Sequence, residues 1–390
     1  MASPHPAPHP PLWIDASNCR DGGGITHLIE VAPRLAAHWT PGAVTVFAGG
    51  KERALLRARS DALVLPEVPE LDEGLAKRLR WQRYEYPRWV REGGGGVAFA
   101  PGGLLSGRFD EGVAPVTMCR NMLPFEWREA ARYGPSRMFV RLALLRRGQT
   151  QSFRRADGVI FLTRYAEQIV GKRLSEAVAK TVIPHGIGEG FRRAPDAQRI
   201  LQPPGKLLYV SIVDVYKHPW RVVEALKLLA DRGFPLLLEL AGGDYAPARR
   251  RLDEAIRRTG QQECVHLLGR VGHEALPGVY HEADIFVYAS SCENLPNILL
   301  EAMSAGLPIA CSDRGPMPEV GQDGAVYFDP EDPGSIADAV EKLIRDPELR
   351  LRCASRAFDL ASAYSWDRCA RQTAEFLLEV WARKHAKRRS

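Results

Sequence analysis

No apolar run in these 390 residues approaches the roughly 18 that a membrane-crossing helix needs, which excludes an integral helical membrane protein. The seven cysteines (Cys19, Cys119, Cys264, Cys292, Cys311, Cys353 and Cys369) include no Cys-x-x-Cys pair. Their odd number and scatter speak against a zinc site and for reduced thiols in a cytosolic compartment. No Gly-x-Gly-x-x-Gly occurs, so the dinucleotide fingerprint of a nicotinamide oxidoreductase is missing. The opening MASPHPAPHPPLW lacks the charged-then-apolar layout of a signal peptide, and residues 1–12 read as a disordered leader. Charged residues make up 26% and net charge is +6, a mild basic excess that favours an anionic ligand or surface and does not point to nucleic acid.

What is present is an α/β alternation. Short apolar runs at Trp13–Ser17, Ala43–Ala48, Ala62–Leu65, Val97–Ala100, Val116–Cys119, Gly158–Thr163 and Thr181–Gly186 are expected strands, separated by helical segments and Gly/Pro turns. A second series follows at Leu207–Val213, Leu236–Ala241, Val265–Leu268, Ile285–Ala289 and Pro308–Cys311. Strands alternating with helices imply parallel sheets covered on both faces. The Pro-rich segment around Arg192–Pro204 is the natural linker, giving two Rossmann-like doubly wound domains, 13–190 and 206–365, a linker over 191–205 and a helical tail over 366–390. The four glycines at 93–96 suggest a tight approach to a strand and no chemistry.

The stretch SSCENLPNILLEAMSAGLPIACSDRGPMPE, Ser290 to Glu319, is the richest in chemistry. Glu293 precedes a helical pattern and Glu301 lies inside it, so two carboxylates eight residues apart can converge on one ligand. The helix start near Asn294, Leu295, Pro296 and Asn297 offers backbone N–H groups and a positive dipole end, which suit phosphate. Carboxylates beside a phosphate-binding helix end fit a ligand carrying both a diphosphate and hydroxyls, the description of a nucleotide sugar. By themselves a glutamate pair at this spacing and a lysine before a helix are common solvated features.

From Leu268 to Val320 the sequence resembles glycosyltransferase family 4, the retaining GT-B enzymes, whose glutamate–seven residues–glutamate motif corresponds to Glu293 and Glu301. The resemblance implies two facing Rossmann-like domains, with a C-terminal helix crossing back to the first. It implies that Glu301 holds ribose hydroxyls and Glu293 those of the transferred sugar. Lys217 and the 294–297 helix start would hold the diphosphate, and the backbone around Arg270 and Val271 would read the base. The family's N-terminal glycine loop corresponds to Gly23 and Gly24, expected to face the donor. No obligatory metal or other cofactor is implied, in agreement with the absence of Asp-x-Asp.

Several positions depart from the family pattern. Arg120 stands where a histidine is usual, so it is expected either to clamp phosphate and orient the acceptor or to be a solvated arginine at a strand end. Ile212 stands where an arginine is usual. His185, where asparagine is usual, reads equally as a ligand contact or a structural histidine.

Gly134–Ala156 carries six arginines and no acid among interleaved apolar residues; it reads either as a solvated surface helix or as a peripheral contact with an anionic membrane. The cationic tail Trp381–Ser390 is expected to be frayed. The combined expectation is a cytoplasmic enzyme, peripheral at the inner face of the cell membrane if the helix docks there. It would move a hexose with retention from a GDP- or UDP-linked donor to a glycan or lipid-linked acceptor, in surface polysaccharide synthesis. A GT-B sugar-nucleotide epimerase and a non-catalytic sugar-nucleotide binder are the alternatives.

Overall fold

The computed structural model describes residues 9–20, 22–197 and 201–386. Residues 1–8 of the expected leader and 387–390 of the tail lie outside these. Residues 9–12 are ordered, contrary to the leader expectation: the carbonyls of Pro10 and Pro11 accept from Trp39 Nε1 (2.7 Å) and Val97 N (2.9 Å), and Leu12 is fully buried. Proline lacks an N–H but keeps its acceptor, so a Pro-rich segment can still be tied down through its carbonyls.

The chain divides into two compact units. The first comprises the described residues of Met1–Phe125, Val140–Gly186 and Ser365–Ser390. Its strands are β1 (Leu12–Asp15), β2 (Val44–Phe47), β3 (Gly96–Ala100), β4 (Val113–Met118), β5 (Gly158–Phe161) and β6 (Ala179–Val182). They form one parallel six-stranded sheet in the order β2-β1-β3-β4-β5-β6. β2 to β5 are buried at every position, as a parallel sheet covered on both faces requires. Ala62–Leu65 is not a strand; it makes a single bridge to β2, and Val64 is 43% exposed at that edge.

The last helix, Trp366–Ala386, belongs to this first unit, where it packs against the helix Gly23–Ala37. It runs regularly through the segment expected to fray, with Lys384 paired to Asp157 at 2.7 Å. The four-glycine run has a steric origin. A Cβ on Gly93 would fall 2.2 Å from the Trp13 ring, and one on Gly96 (φ +110°) 2.2 Å from the Pro11 carbonyl oxygen.

The second unit comprises Glu126–Phe139 and the described residues of Ile187–Tyr364. Its strands are β7 (Gly205–Val210), β8 (Leu236–Ala241), β9 (Val265–Gly269), β10 (Ile285–Tyr288), β11 (Ile309–Ser312) and β12 (Val326–Phe328). The parallel order is β12-β11-β10-β7-β8-β9. From β7 the chain winds outward through β8 and β9; from β10 it winds the opposite way, through β11 and β12. The β7/β10 seam is therefore the topological switch point, where loops leaving the carboxyl ends of the strands diverge and open a crevice.

The span expected for the first domain, 13–190, needs correcting over 126–139. Tyr133 OH donates to Asp214 (2.8 Å), while Arg128 and Arg132 pair with Glu331 (3.0 and 2.7 Å), all inside the second unit.

Gly96→Ala is expected to cost about 3 kcal/mol or more, combining a strained positive φ with a backbone clash. Gly42→Ala, also at positive φ but with open space around its Cβ, should cost only about 1 kcal/mol. Denaturant midpoints of the two variants measure the difference.

Candidate functional site

The switch point of the second unit gathers the charged residues. After β7 the loop Ser211–His218 leads into the helix Pro219–Asp231, and after β10 the loop Ala289–Pro296 leads into the helix Asn297–Ser304. Lys217 comes from the first loop and Glu293 from the second. Lys217 Nζ donates to Glu293 Oε1, with side-chain exposures of 5% and 15%. The same oxygen accepts from Ser290 Oγ (2.7 Å) and from the Tyr288 hydroxyl. Burial pushes the Tyr288 pKa well above its ordinary value, so this phenol remains a donor. Lys217 also reaches the Tyr288 hydroxyl oxygen (3.3 Å) and lies against the Tyr216 ring (4.9 Å). Three donors on one carboxylate oxygen and a lysine held between two tyrosines make a charged pair fixed in place.

Glu301 lies on the helix Asn297–Ser304 and does not join this cluster. Its Oε2 accepts from the Tyr280 hydroxyl at 2.9 Å. Desolvation raises its pKa to about 7, against a lowering by the Tyr280 hydrogen bond. Pro296 is the cap residue of this helix, not part of its first turn, and Asn294 and Leu295 are buried. Asn297 N donates to Leu295 O, and Leu299 N and Leu300 N both donate to Pro296 O. The expected N–H cradle is thus partly taken up within the chain.

Arg270, just past β9, lies over the loop after β8: a Cβ on Gly243 would come 2.8 Å from its Nε. Val271 follows it, half-buried, while Ile212 at the end of β7 is 42% exposed. These positions lie along the same carboxyl edge as Lys217.

Arg120, Gly23 and Gly24 belong to the first unit and meet one another there. The helix Gly23–Ala37 begins at Gly23 after Gly22 at φ +53°, so the two glycines form its first turn and are not loop residues. Arg120, beyond the end of β4, donates to the carbonyls of Gly23 and Gly24. His27, one turn on, is buried with its ring 4.9 Å from that of His185, and His185 stacks on Trp366 at 5.5 Å. Desolvation foremost, then Arg120 and His185, hold the His27 pKa well below the ordinary value. His185 is 2% exposed and packed in this ring cluster, which favours the structural reading.

Sequence reasoning missed Tyr280, Tyr288, Ser290, Ser291, His218 and Glu129. Ser291 Oγ donates to Glu129 Oε2 (2.5 Å) and lies 3.0 Å from His218 Nε2. Among the described residues, no group of three or more His, Cys, Asp or Glu side chains is placed to hold a metal ion. No helix among them is long and apolar enough to cross a membrane.

The Glu301 shift carries a sign. Its folded-state pKa of about 7 lies above the ordinary 4.5, so between those values the folded protein holds a proton that the unfolded chain has released. Stability from this group is therefore full below pH 4.5 and declines as pH rises to about 7. Thermal melts from pH 4.5 to 8 should show this decline in the native protein, and a flatter profile in Glu301→Gln.

Comparison with known proteins finds relatives of this sequence and of this fold. Residues 191–359 match the family described as Glycosyl transferases group 1. The O-antigen chain mannosyltransferase B of Escherichia coli is 30% identical over 224 residues, 57% of either chain. The alpha-D-kanosaminyltransferase of Streptomyces kanamyceticus is 31% identical over 177 residues, 45% of either. The chain thus spans about half the length of the curated relatives it matches. A sucrose-phosphate synthase from Thermosynechococcus elongatus superposes with a TM-score of 0.72 at 17% identity, over 96% of this chain and 100% of that one. WaaG, a glycosyltransferase involved in lipopolysaccharide biosynthesis, does so with 0.68 at 16%, over 94% and 99%. HepE from Anabaena, solved with UDP and glucose, does so with 0.68 at 17%, over 95% and 99%. These likenesses show the GT-B fold.

Proposed function

We propose that this chain, whose residues 191–359 match the group 1 glycosyltransferases, transfers a hexose with retention from a nucleotide-diphosphate sugar to a glycan or lipid-linked acceptor. The observation that carries the reading is the Lys217–Glu293 pair at the β7/β10 switch point, on the same carboxyl edge as the helix bearing Glu301. Lys217 gives one N–H to Glu293 and one to Tyr288, and the third suits a phosphate oxygen of the leaving diphosphate, where negative charge develops. Glu293 takes its three hydrogen bonds on Oε1, so Oε2 suits a sugar hydroxyl. Glu301 would take the ribose hydroxyls.

A GDP- or UDP-linked donor is supported by HepE, whose structure holds UDP and glucose, and by the mannosyltransferase relative. The O-antigen and lipopolysaccharide relatives support a role in surface polysaccharide synthesis, and a place at the inner face of the cell membrane belongs to the same reading. A peripheral membrane contact is supported by the helix Arg137–Arg155. Val140 and Leu144 on it are 57% and 66% exposed beside Arg141 and Arg147, with no acidic residue from 134 to 156. Metal independence is part of the same reading, with Lys217 supplying the counter-charge. The epimerase and binder alternatives differ in outcome: an epimerase turns donor over without acceptor, and a binder never does.

A donor panel of GDP-mannose, UDP-hexoses and UDP-N-acetylhexosamines, each with and without EDTA, should reveal one donor that stabilises the protein. That donor should release nucleotide only with acceptor present, apart from slow hydrolysis, and EDTA should make no difference. Glu301→Gln should lower donor kcat/KM by about tenfold or more with the fold intact. Lys217→Ala should lower it further and also cost about 3–5 kcal/mol of stability, because Glu293 is left buried without its partner. Near-native turnover in both variants would overturn the site. In flotation assays the native protein should bind anionic and not zwitterionic vesicles, and Arg141→Glu/Arg147→Glu should abolish that binding.

A further inference from the structure

Ser291 has one hydroxyl proton and three polar neighbours. Its Oγ lies 2.5 Å from Glu129 Oε2, 3.0 Å from His218 Nε2 and 3.1 Å from the Tyr216 carbonyl. The carboxylate is the strongest acceptor and the closest, so the proton points to Glu129. His218 must then be the donor to Ser291, which requires the neutral Nε2–H tautomer. Burial, the largest influence, lowers the His218 pKa to about 3, and the ring is uncharged at neutral pH. The direction of the chain is therefore determined: His218 Nε2–H to Ser291 Oγ, and Ser291 O–H to Glu129.

Glu129 is 6% exposed and is gripped by Arg132, whose Nε donates to the same Oε2 (2.6 Å) and whose Nη2 donates to Oε1 (3.2 Å); Arg132 in turn pairs with Glu331. This chain sits between the residues that matter. His218 follows Lys217 directly and sits in the left-handed region at φ +50°, a conformation that costs a non-glycine residue and needs a local tether. Ser291 is two residues before Glu293, and its own N–H donates to the Tyr216 carbonyl at 2.8 Å. Both loops of the switch point are thus joined through Ser291, and the joint is anchored by a residue 162 positions away in sequence.

We propose that Glu129, Ser291 and His218 form a directed hydrogen-bond chain that holds the β7 and β10 loops in register, and that Glu129 and Ser291 are thereby positioning residues for the diphosphate contact of Lys217. None of the three touches the ligand in this account. They act through the placement of the Lys217 ammonium, and the inference rests on the donor reading given above.

The test separates diphosphate from nucleoside. Calorimetric titration with UDP, GDP, uridine and guanosine is run on the native protein, Ser291→Ala, Glu129→Ala and Glu129→Gln. Ser291→Ala and Glu129→Ala are expected to weaken the preferred nucleoside diphosphate by about tenfold, the worth of one misplaced charged hydrogen bond, and to leave the matching nucleoside within about twofold. Glu129→Gln keeps an acceptor for Ser291, while Arg132 keeps Glu331, so affinity should largely return. Equal weakening of diphosphate and nucleoside, or no weakening of either in Ser291→Ala, would overturn the positioning role and leave the donor reading standing. A native protein that binds neither UDP nor GDP would overturn both. Ser291→Ala, which removes a single oxygen, decides the matter if Glu129→Ala does not fold.

Discussion

An ammonium and a carboxylate that leave water together must be satisfied from every side, or the desolvation cost exceeds their attraction. Lys217 and Glu293 are such a pair, and much of the second unit follows from keeping them satisfied. The pair needs two backbone loops held at one distance, which the adjacent strands β7 and β10 provide. It needs further donors on the carboxylate, and Tyr288 and Ser290 provide them from the end of β10 and the residues after it. It also needs a lysine stem that can be buried, which the Tyr216 and Tyr288 rings allow.

Two of the departures from the family pattern, Arg120 and Ile212, acquire different meanings from the structure. Arg120 uses its guanidinium on the carbonyls of Gly23 and Gly24, so it ties the first turn of a helix to the end of β4. Ile212 leaves an exposed apolar side chain on the edge where the family carries a second cation. Lys217 is a buried cation on that same edge.

Much of the fold was legible because strands buried on both faces leave continuous apolar runs between glycine and proline turns. Such runs marked eleven of the twelve strands to within a few residues. Ala62–Leu65 misled because an edge segment with one bridge has the same composition as a strand. Residues 9–12 misled because proline-rich composition says nothing about carbonyls used as acceptors. Glu293, Glu301 and Lys217 were singled out through the family resemblance, and the structure brings Lys217 and Glu293 together. Tyr280, Tyr288 and Ser290 were not, because a hydroxyl at a strand end or in a buried helix leaves no periodic signal. Glu129 was hidden by distance: nothing local links a five-residue helix in the first half of the chain to a serine in the second.

That last feature bears on how such a chain can be taken apart. Glu126–Phe139 belongs structurally to the second unit but is encoded ahead of β5 and β6 of the first. A fragment cut at the linker would carry Lys217, Glu293 and Glu301, yet lack the carboxylate and the two arginines that brace them. The second unit is therefore not a contiguous cassette. Recombination that exchanged only the C-terminal sequence between two such chains would bring together a serine and a bracing helix with separate histories, and would keep the joint only where both parents share it.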